Sequence, residues 1–345
     1  MPQFTTALPS GSTILVTGVN GFVASHVADQ LLHHGYRIRG SVRDMQKSSW
    51  LQNTFEKKYG NDRFELVQVE DMTVDGAWDK AIQDATGIIH VATIFGRSDL
   101  VTAIMQANEK LLTAAKKSNV KRFIYTSSSE AAIYTSADKR GQLKVDPQSW
   151  NEQAVKDAET PGEDLAKGFQ VYCASKTRGE QAIWKWVDEN QPQFVLNTVL
   201  PSLCFGRSVD PKNQGHASSS AWPSAIFRNE LETIKPIIGS IIPTGAYCVD
   251  VQDVARLHVA GLLHSDVENE RLFAFGSQFV WNDITTLYQK AYPDREFAKE
   301  LPSMTSARPL EIERAGRAEW LLKEMGTSGW TALEDTLKAN IEDLV

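Results

Sequence analysis

Residues 12–24 read Ser-Thr-Ile-Leu-Val-Thr-Gly-Val-Asn-Gly-Phe-Val-Ala. The first half, 12–17, is a short apolar and β-branched run ending at Gly18, the pattern of a buried strand. A helix follows from about Gly21: Val23, Val27 and Leu31 recur every four residues, as do Ala24, Ala28 and Leu32, until Gly35 closes it. Between the two lies Gly18-x-x-Gly21-x-x-Ala24. Gly18 permits the tight turn, Gly21 lets backbone approach a pyrophosphate at the helix N-terminus, and the small Ala24 allows close helix–strand packing. A glycine-rich αβ turn can be plain. After a first strand and opening a first helix, this one points to dinucleotide binding, with Gly18, Asn20, Gly21, Phe22 and Val23 facing the cofactor.

Working outward, the pattern predicts strands at 36–42, 64–69, 87–91, 122–126 and 194–200. Helices are expected at 45–59, 77–84, 100–117 and 166–190. Strands alternating with helices imply an α/β protein, a Rossmann-type doubly wound parallel sheet with helices on both faces. Residues 129–164, with Gly141, Pro147, Pro161 and Gly162, are polar and irregular and should wrap over the strand ends. Residues 206–220 have the glycine- and serine-rich composition of a mobile active-site loop. The expected division is a cofactor-binding domain over 1–200 and mainly a smaller C-terminal substrate-binding lobe over 201–345. The chain should cross back around 245–265, and Trp281, Trp320 and Trp330 should anchor the lobe's core.

Composition narrows the function. A net charge of −7, with 36 Lys and Arg against 43 Asp and Glu, argues against a nucleic-acid partner. Cys173, Cys204 and Cys248 lie far apart without a C-x-x-C pair, which suits reduced thiols in a cytoplasmic protein. The histidines show no zinc-type spacing, and adjacent His33 and His34 point to different parts of a helix surface, so no metal is expected. No run approaches the roughly 18 apolar residues of a membrane span. Residues 1–13 lack the basic and apolar regions of a secretory signal. A monomer and a homodimer both suit such a chain.

Three further segments carry chemistry. After the second strand, where an acidic residue would hold a ribose 2′-hydroxyl, the chain has Arg43 and then Lys47. Arg43 can form a bidentate pair with a 2′-phosphate and Lys47 can add a point charge, favouring NADP over NAD, with Arg39 a further candidate. Tyr125-Thr126-Ser127-Ser128-Ser129 follows the fifth strand, at the carboxyl edge where such sheets bind ligands. A serine hydroxyl there can steady a developing oxyanion. In Val-Tyr-Cys-Ala-Ser-Lys at 171–176, a helix places Tyr172 and Lys176 on one face. The ammonium should lower the pKa of the phenol towards working pH and make it a proton donor.

Together with Asp71-Met72 after the third strand and His90-Val91-Ala92-Thr93 after the fourth, these motifs resemble an extended short-chain dehydrogenase/reductase. The chain is similar to the dihydroflavonol reductase and cinnamoyl-CoA reductase branch, and within it to fungal and yeast NADPH-dependent aldehyde, carbonyl and methylglyoxal reductases. Residues 172–186, Pro201-Ser202-Leu203-Cys204-Phe205-Gly206 and the late Gly329-Trp330 pair support that branch. The resemblance implies that Ser128 polarises the carbonyl and Tyr172 is the general acid. Lys176 would lower the Tyr172 pKa and hold the nicotinamide ribose. Asp71 and Met72 would border the adenine, Val91, Ala92 and Thr93 the ribose–pyrophosphate side, and Pro201–Leu203 the carboxamide. Ala24 stands where the family usually has glycine, and Ser129-Glu130 where alanine is common after the serine. Asn108 falls near the family's relay asparagine, but its Ala-Asn-Glu-Lys context departs from Asn-Gly-Thr and it receives no role.

The expected reaction is NADPH-dependent reduction of a small-molecule aldehyde or ketone. Ile94, Phe95, Ile133, Leu203, Phe205, Trp222 and Phe227 would line an apolar pocket suited to aryl or medium-chain carbonyls. The alternatives are a nucleotide-sugar epimerase or dehydratase on the same fold, against which Arg43 and Lys47 argue, and a non-catalytic NADP sensor. A sensor would tend to lose Tyr172 or Lys176, and both are present.

Overall fold

The computed structural model describes residues 4–133, 144–242, 246–301 and 310–345; Met1 to Gln3 and Gly141 lie outside them. The chain runs β1 (Thr13–Thr17), α1 (Phe22–His33), β2 (Arg37–Val42), α2 (Met45–Tyr59), β3 (Phe64–Gln68), β4 (Ala85–His90), α3 (Leu100–Lys116) and β5 (Arg122–Thr126). Next come β6 (Lys144–Val145), α4 (Glu152–Ala158), the long α5 (Leu165–Asn190), β7 (Val195–Pro201) and β8 (Leu203–Phe205). The remainder comprises α6 (Pro211–Gln214), α7 (Ala221–Phe227), α8 (Leu231–Pro236), β9 (Ala246–Asp250), α9 (Val251–Leu263), β10 (Arg271–Ala274) and β11 (Ser277–Phe279). The last elements are α10 (Trp281–Ala291), β12 (Glu311–Ile312), α11 (Ala315–Glu324) and α12 (Leu333–Asn340).

The main sheet has seven strands in the order β10-β7-β5-β4-β1-β2-β3, every pair parallel. This is the doubly wound parallel sheet expected. Because the strands are parallel, all their carboxyl ends lie along one edge. The chain winds outward one way through β2 and β3 and the other way through β4, β5 and β7, so the order reverses between β1 and β4. Such a switch point is where open α/β sheets bind ligands. A smaller sheet, β11-β9-β8, starts two residues beyond β7, and its elements surround a separate apolar cluster that includes Phe205, Phe227, Phe279 and Trp281. After β9 the chain returns to the main sheet: α9 packs in the same cluster as α1, and β10 pairs with β7.

Some local expectations fail for identifiable reasons. Residues 77–84 form successive turns rather than a helix. Gly76 and Asp84 both take positive φ (75° and 58°), and consecutive i→i−4 bonds do not build up between them. A short helix, α4, interrupts the segment expected to be irregular; its start signal is Asn151, whose side chain accepts from Ala154 N. Trp281 is fully buried, but Trp320 is 39% exposed and covers surface instead of anchoring a core.

Candidate active site

The phosphate turn is built from β1 outward. Gly18 sits at φ +63°, and a Cβ there would lie 3.0 Å from Ala92 Cβ, so the turn and the end of β4 touch where only glycine fits. Gly21 N closes the turn on Gly18 O at 2.9 Å. Helix α1 then starts with no side-chain cap and no acidic residue in its first turn, which leaves its first N–H groups for an anion. Asn20 and Gly21 are exposed at this rim, with Phe22 buried behind it and Val23 half-buried. Thr17 fixes the neighbouring strand end: its Oγ1 accepts from Val91 N and Ala92 N at 3.0 Å each. With both lone pairs used, the hydroxyl donates to His90 Nδ1 (2.8 Å), and His90 Nε2 in turn donates to Asn108 Oδ1 (3.1 Å). Burial keeps His90 neutral, with its pKa lowered to about 4. Asn108 passes the chain on to Gly179 O and is buried beneath the site, a structural position.

The other cofactor candidates also lie past carboxyl ends. Arg43 is exposed directly after β2, and among the described residues no salt bridge engages it. Asp44 caps α2 by accepting from Lys47 N, and the Lys47 side chain, 85% exposed, stands 3.7 Å from the same carboxylate. Arg39 does not belong here. It pairs with Glu65 across β2–β3 (2.6 Å) and donates to the carbonyls of Ala81 and Gln83. Asp71 is exposed and turns the chain after β3 by accepting from Thr73 N and Oγ1, with Met72 half-buried beside it in the chain, and Thr93 is half-buried past the end of β4. Pro201 ends β7 and the half-buried Leu203 opens β8. A free guanidinium beyond β2 and an uncapped helix start beyond β1 fit a phosphorylated dinucleotide.

Ser128, past the end of β5, and Tyr172, on α5, come together: the Ser128 hydroxyl is near enough to the Tyr172 phenol to favour its ionised form. Ser128 Oγ also accepts from Glu130 N at 3.2 Å, which holds it in place. Lys176 is 5% exposed; its ammonium donates to Thr126 O at 3.2 Å and lies 5.8 Å from the Tyr125 ring centre. Burial lowers its pKa to about 8, with Glu180 one turn further on pulling the other way. The expected lowering of Tyr172 by Lys176 is not what this geometry gives. Burial pushes the phenol up, and the nearby Ser128 hydroxyl offsets only part of that. Helix α5 is drawn close to the sheet at Gly179, where a Cβ would come within 2.9 Å of Ile104 Cγ2 and 3.0 Å of Tyr125 Oη.

The residues around Tyr172 only partly match the expected pocket. Phe95, 69% exposed, stacks on Tyr172 at 6.4 Å and 13°, and Phe169 stacks at 6.1 Å and 25°. Phe169, one turn before Tyr172, could have been read from its i,i+3 spacing. Leu203 and Trp222 are half-buried, whereas Ile133 is buried against Leu200 and Phe273. Phe205 and Phe227 are fully buried core residues of the small lobe and cannot line a pocket.

Residues 206–220 form a strap between the two parts. Gln214 at the end of α6 donates to Asn20 O, Gly21 O and Ser25 Oγ, and His26 Nε2 donates to Arg207 O at 2.8 Å. Asn340 of α12 brackets the strap, accepting from Gly206 N and donating to Ser220 O. Sequence reading missed these contacts, although Asp210-Pro211 was a legible helix start.

Among the described residues no helix is long and apolar enough to cross a membrane, and no group of three His, Cys, Asp or Glu could hold a metal ion.

A parallel sheet with an uncapped helix start beyond its first strand and a serine–tyrosine–lysine group beyond its fifth defines a dinucleotide-dependent enzyme of the Rossmann type. A model of the NAD dependent epimerase/dehydratase family matches residues 14–273. Aldehyde reductase 2 of Sporidiobolus salmonicolor is 38% identical over 337 residues, covering 96% of this chain and 95% of its own. Ketoreductase adrE of Penicillium rubens is 36% identical over 346 residues, 97% of each chain. Among solved structures, yeast methylglyoxal/isovaleraldehyde reductase Gre2 complexed with NADPH shares the fold, with a TM-score of 0.78 at 22% identity over 96% of this chain and 98% of that one. The chain belongs to the NAD dependent epimerase/dehydratase family, the extended short-chain dehydrogenases/reductases that its motifs resemble.

Proposed function

We propose that this chain reduces an aldehyde or ketone to the alcohol, using NADPH as the hydride donor. The observation that carries the reading is the meeting of Ser128 and Tyr172 above buried Lys176, on the same sheet edge as the phosphate turn. Curated relatives named as an aldehyde reductase and a ketoreductase support it. The Ser128 hydroxyl donates to the substrate oxygen and steadies the charge that develops there. Tyr172 supplies the proton: a phenol held above its ordinary value keeps that proton at neutral pH, the form a general acid requires. At pH 7 Lys176, with its pKa near 8, is mostly charged, and its ammonium can hold the nicotinamide ribose. Arg43, with Lys47 beside it, takes the 2′-phosphate. Phe95 and Phe169 give the substrate side an aromatic wall, which favours aryl carbonyls over sugars.

We assign cofactor binding to residues 1–200 with the returning segment, and substrate binding mainly to the remainder, acting in the cytoplasm. Three free, buried cysteines support that compartment. The test is a panel of aldehydes, ketones, α-keto esters and dicarbonyls offered with NADPH and NADH. NADPH oxidation by wild type and its loss in Tyr172→Phe is the expected result. NAD retained through purification, with no NADPH oxidation, would point to the epimerase chemistry in the family's name.

A further inference from the structure

We propose that Gln214 is a positioning residue that sets how long the enzyme holds NADPH. The inference rests on NADPH as the cofactor and adds a residue to its site. The side-chain amide of Gln214 is used at both ends. Its Oε1 accepts from Val209 N (3.0 Å) and Asp210 N (3.3 Å), fastening it to its own strap. Its Nε2 donates to Asn20 O (3.2 Å), Gly21 O (3.4 Å) and Ser25 Oγ (2.9 Å), nearly 190 residues earlier in the chain.

A peptide group carries its carbonyl and the next N–H in one rigid plane, pointing in opposite directions. The Asn20 carbonyl shares a plane with Gly21 N–H, which closes the turn on Gly18 O. The Gly21 carbonyl shares a plane with Phe22 N–H, the first of the uncapped donors of α1. Gln214 therefore grips from behind the two peptides that shape and open the anion site. Donation to a carbonyl also polarises the N–H across the plane and strengthens its bond to an anion. The strap has other fastenings, His26 to Arg207 O and Asn340 to Gly206 N and Ser220 O, so loss of Gln214 should not release it.

The experiment measures NADPH dissociation without any carbonyl substrate, by displacement with excess NADP+ followed through nicotinamide fluorescence. Melting of the cofactor-free protein is followed alongside. Gln214→Ala loses both ends of the amide. Gln214→Glu keeps the acceptor for Val209 and Asp210 but sets an anion against two carbonyls near the pyrophosphate. We expect dissociation about tenfold faster in Gln214→Ala, the scale of one or two neutral hydrogen bonds, and faster still in Gln214→Glu, with melting little changed. A residue that merely braced its own strap would show the reverse order, Gln214→Ala worse than Gln214→Glu. That order, or rates within twofold of wild type, overturns the proposal. If Gln214→Ala does not fold, the rate of Gln214→Glu against wild type decides. A wild-type protein that fails to bind NADPH overturns the cofactor reading along with it.

Discussion

Tyr172 can give up a proton only if the phenol is present, so Tyr172→Phe should lower carbonyl reduction by roughly 10²- to 10⁴-fold while NADPH still binds. Fluorescence titration beside the rate assay separates the two. Arg43→Ala should raise the KM for NADPH roughly 10- to 100-fold, the scale of charge-assisted bonds to a phosphate, and leave the KM for NADH unchanged. The proposed hold of Lys176 on the ribose implies an alkaline limit. With its pKa near 8, its charged share falls from about nine-tenths at pH 7 to about one-tenth at pH 9, so NADPH affinity should weaken across that interval. Binding that stays level from pH 7 to 9 would remove Lys176 from the ribose. At this scale the local geometry of the candidate site was legible where its signals are local: a glycine turn between strand and helix, and a tyrosine and lysine one turn apart. It was not legible where partners are remote. Arg39 looked free until β3 brought Glu65 beside it, and the sign of the Tyr172 shift depends on burial that no local spacing reveals.

A buried ion pair helps hold helix α5 to the sheet. Arg271 of β10 meets Glu180 through two bonds (2.9 and 3.0 Å), and Ser127 and Thr198 each donate to the same carboxylate at 2.7 Å. The Arg271 guanidinium also donates to Pro147 O and Ser149 O and lies 3.9 Å from the Trp150 ring centre. Glu180 is fully buried, so Glu180→Gln would strand a buried cation. A loss of about 3–5 kcal/mol is expected, read as a lower urea midpoint; a midpoint close to wild type would mean that the pair adds little. Since Glu180 lies one turn beyond Lys176, the variant should also lower the lysine pKa further. Periodicity identified α5 and the alternating sheet because each buries a regular face. It failed over residues 77–84, where Trp78 is buried by turns rather than by a helix, and over the many short elements after residue 200.

At the scale of the whole molecule, neutral histidines shape the response to acid. Burial lowers His26, His34, His90 and His258 each to about 4, below the ordinary 6.5. Between those values the unfolded chain binds protons that the native histidines refuse, so stability rises with pH and is lost as pH falls from about 6.5 towards 4. Asp250, raised to about 6 by burial, acts in the opposite sense over much of the same window. The histidines outnumber it, so stability should still fall from pH 7 to pH 5, and urea midpoints at those two values would measure the loss. A flat profile would mean that these rings are protonated in the native state. The order of the chain, compared with the order of its contacts, has a consequence for biogenesis. The glycine turn is made first and its parallel sheet soon after, yet the strap lying across that turn is bracketed by Asn340. A nascent chain can therefore lay the middle of the strap on its nucleotide turn, through Gln214 and His26, well before it can pin the strap's two ends. The last helix to leave the ribosome supplies that pin, so a chain cut short before residue 340 would keep its turn but hold the strap by the middle alone.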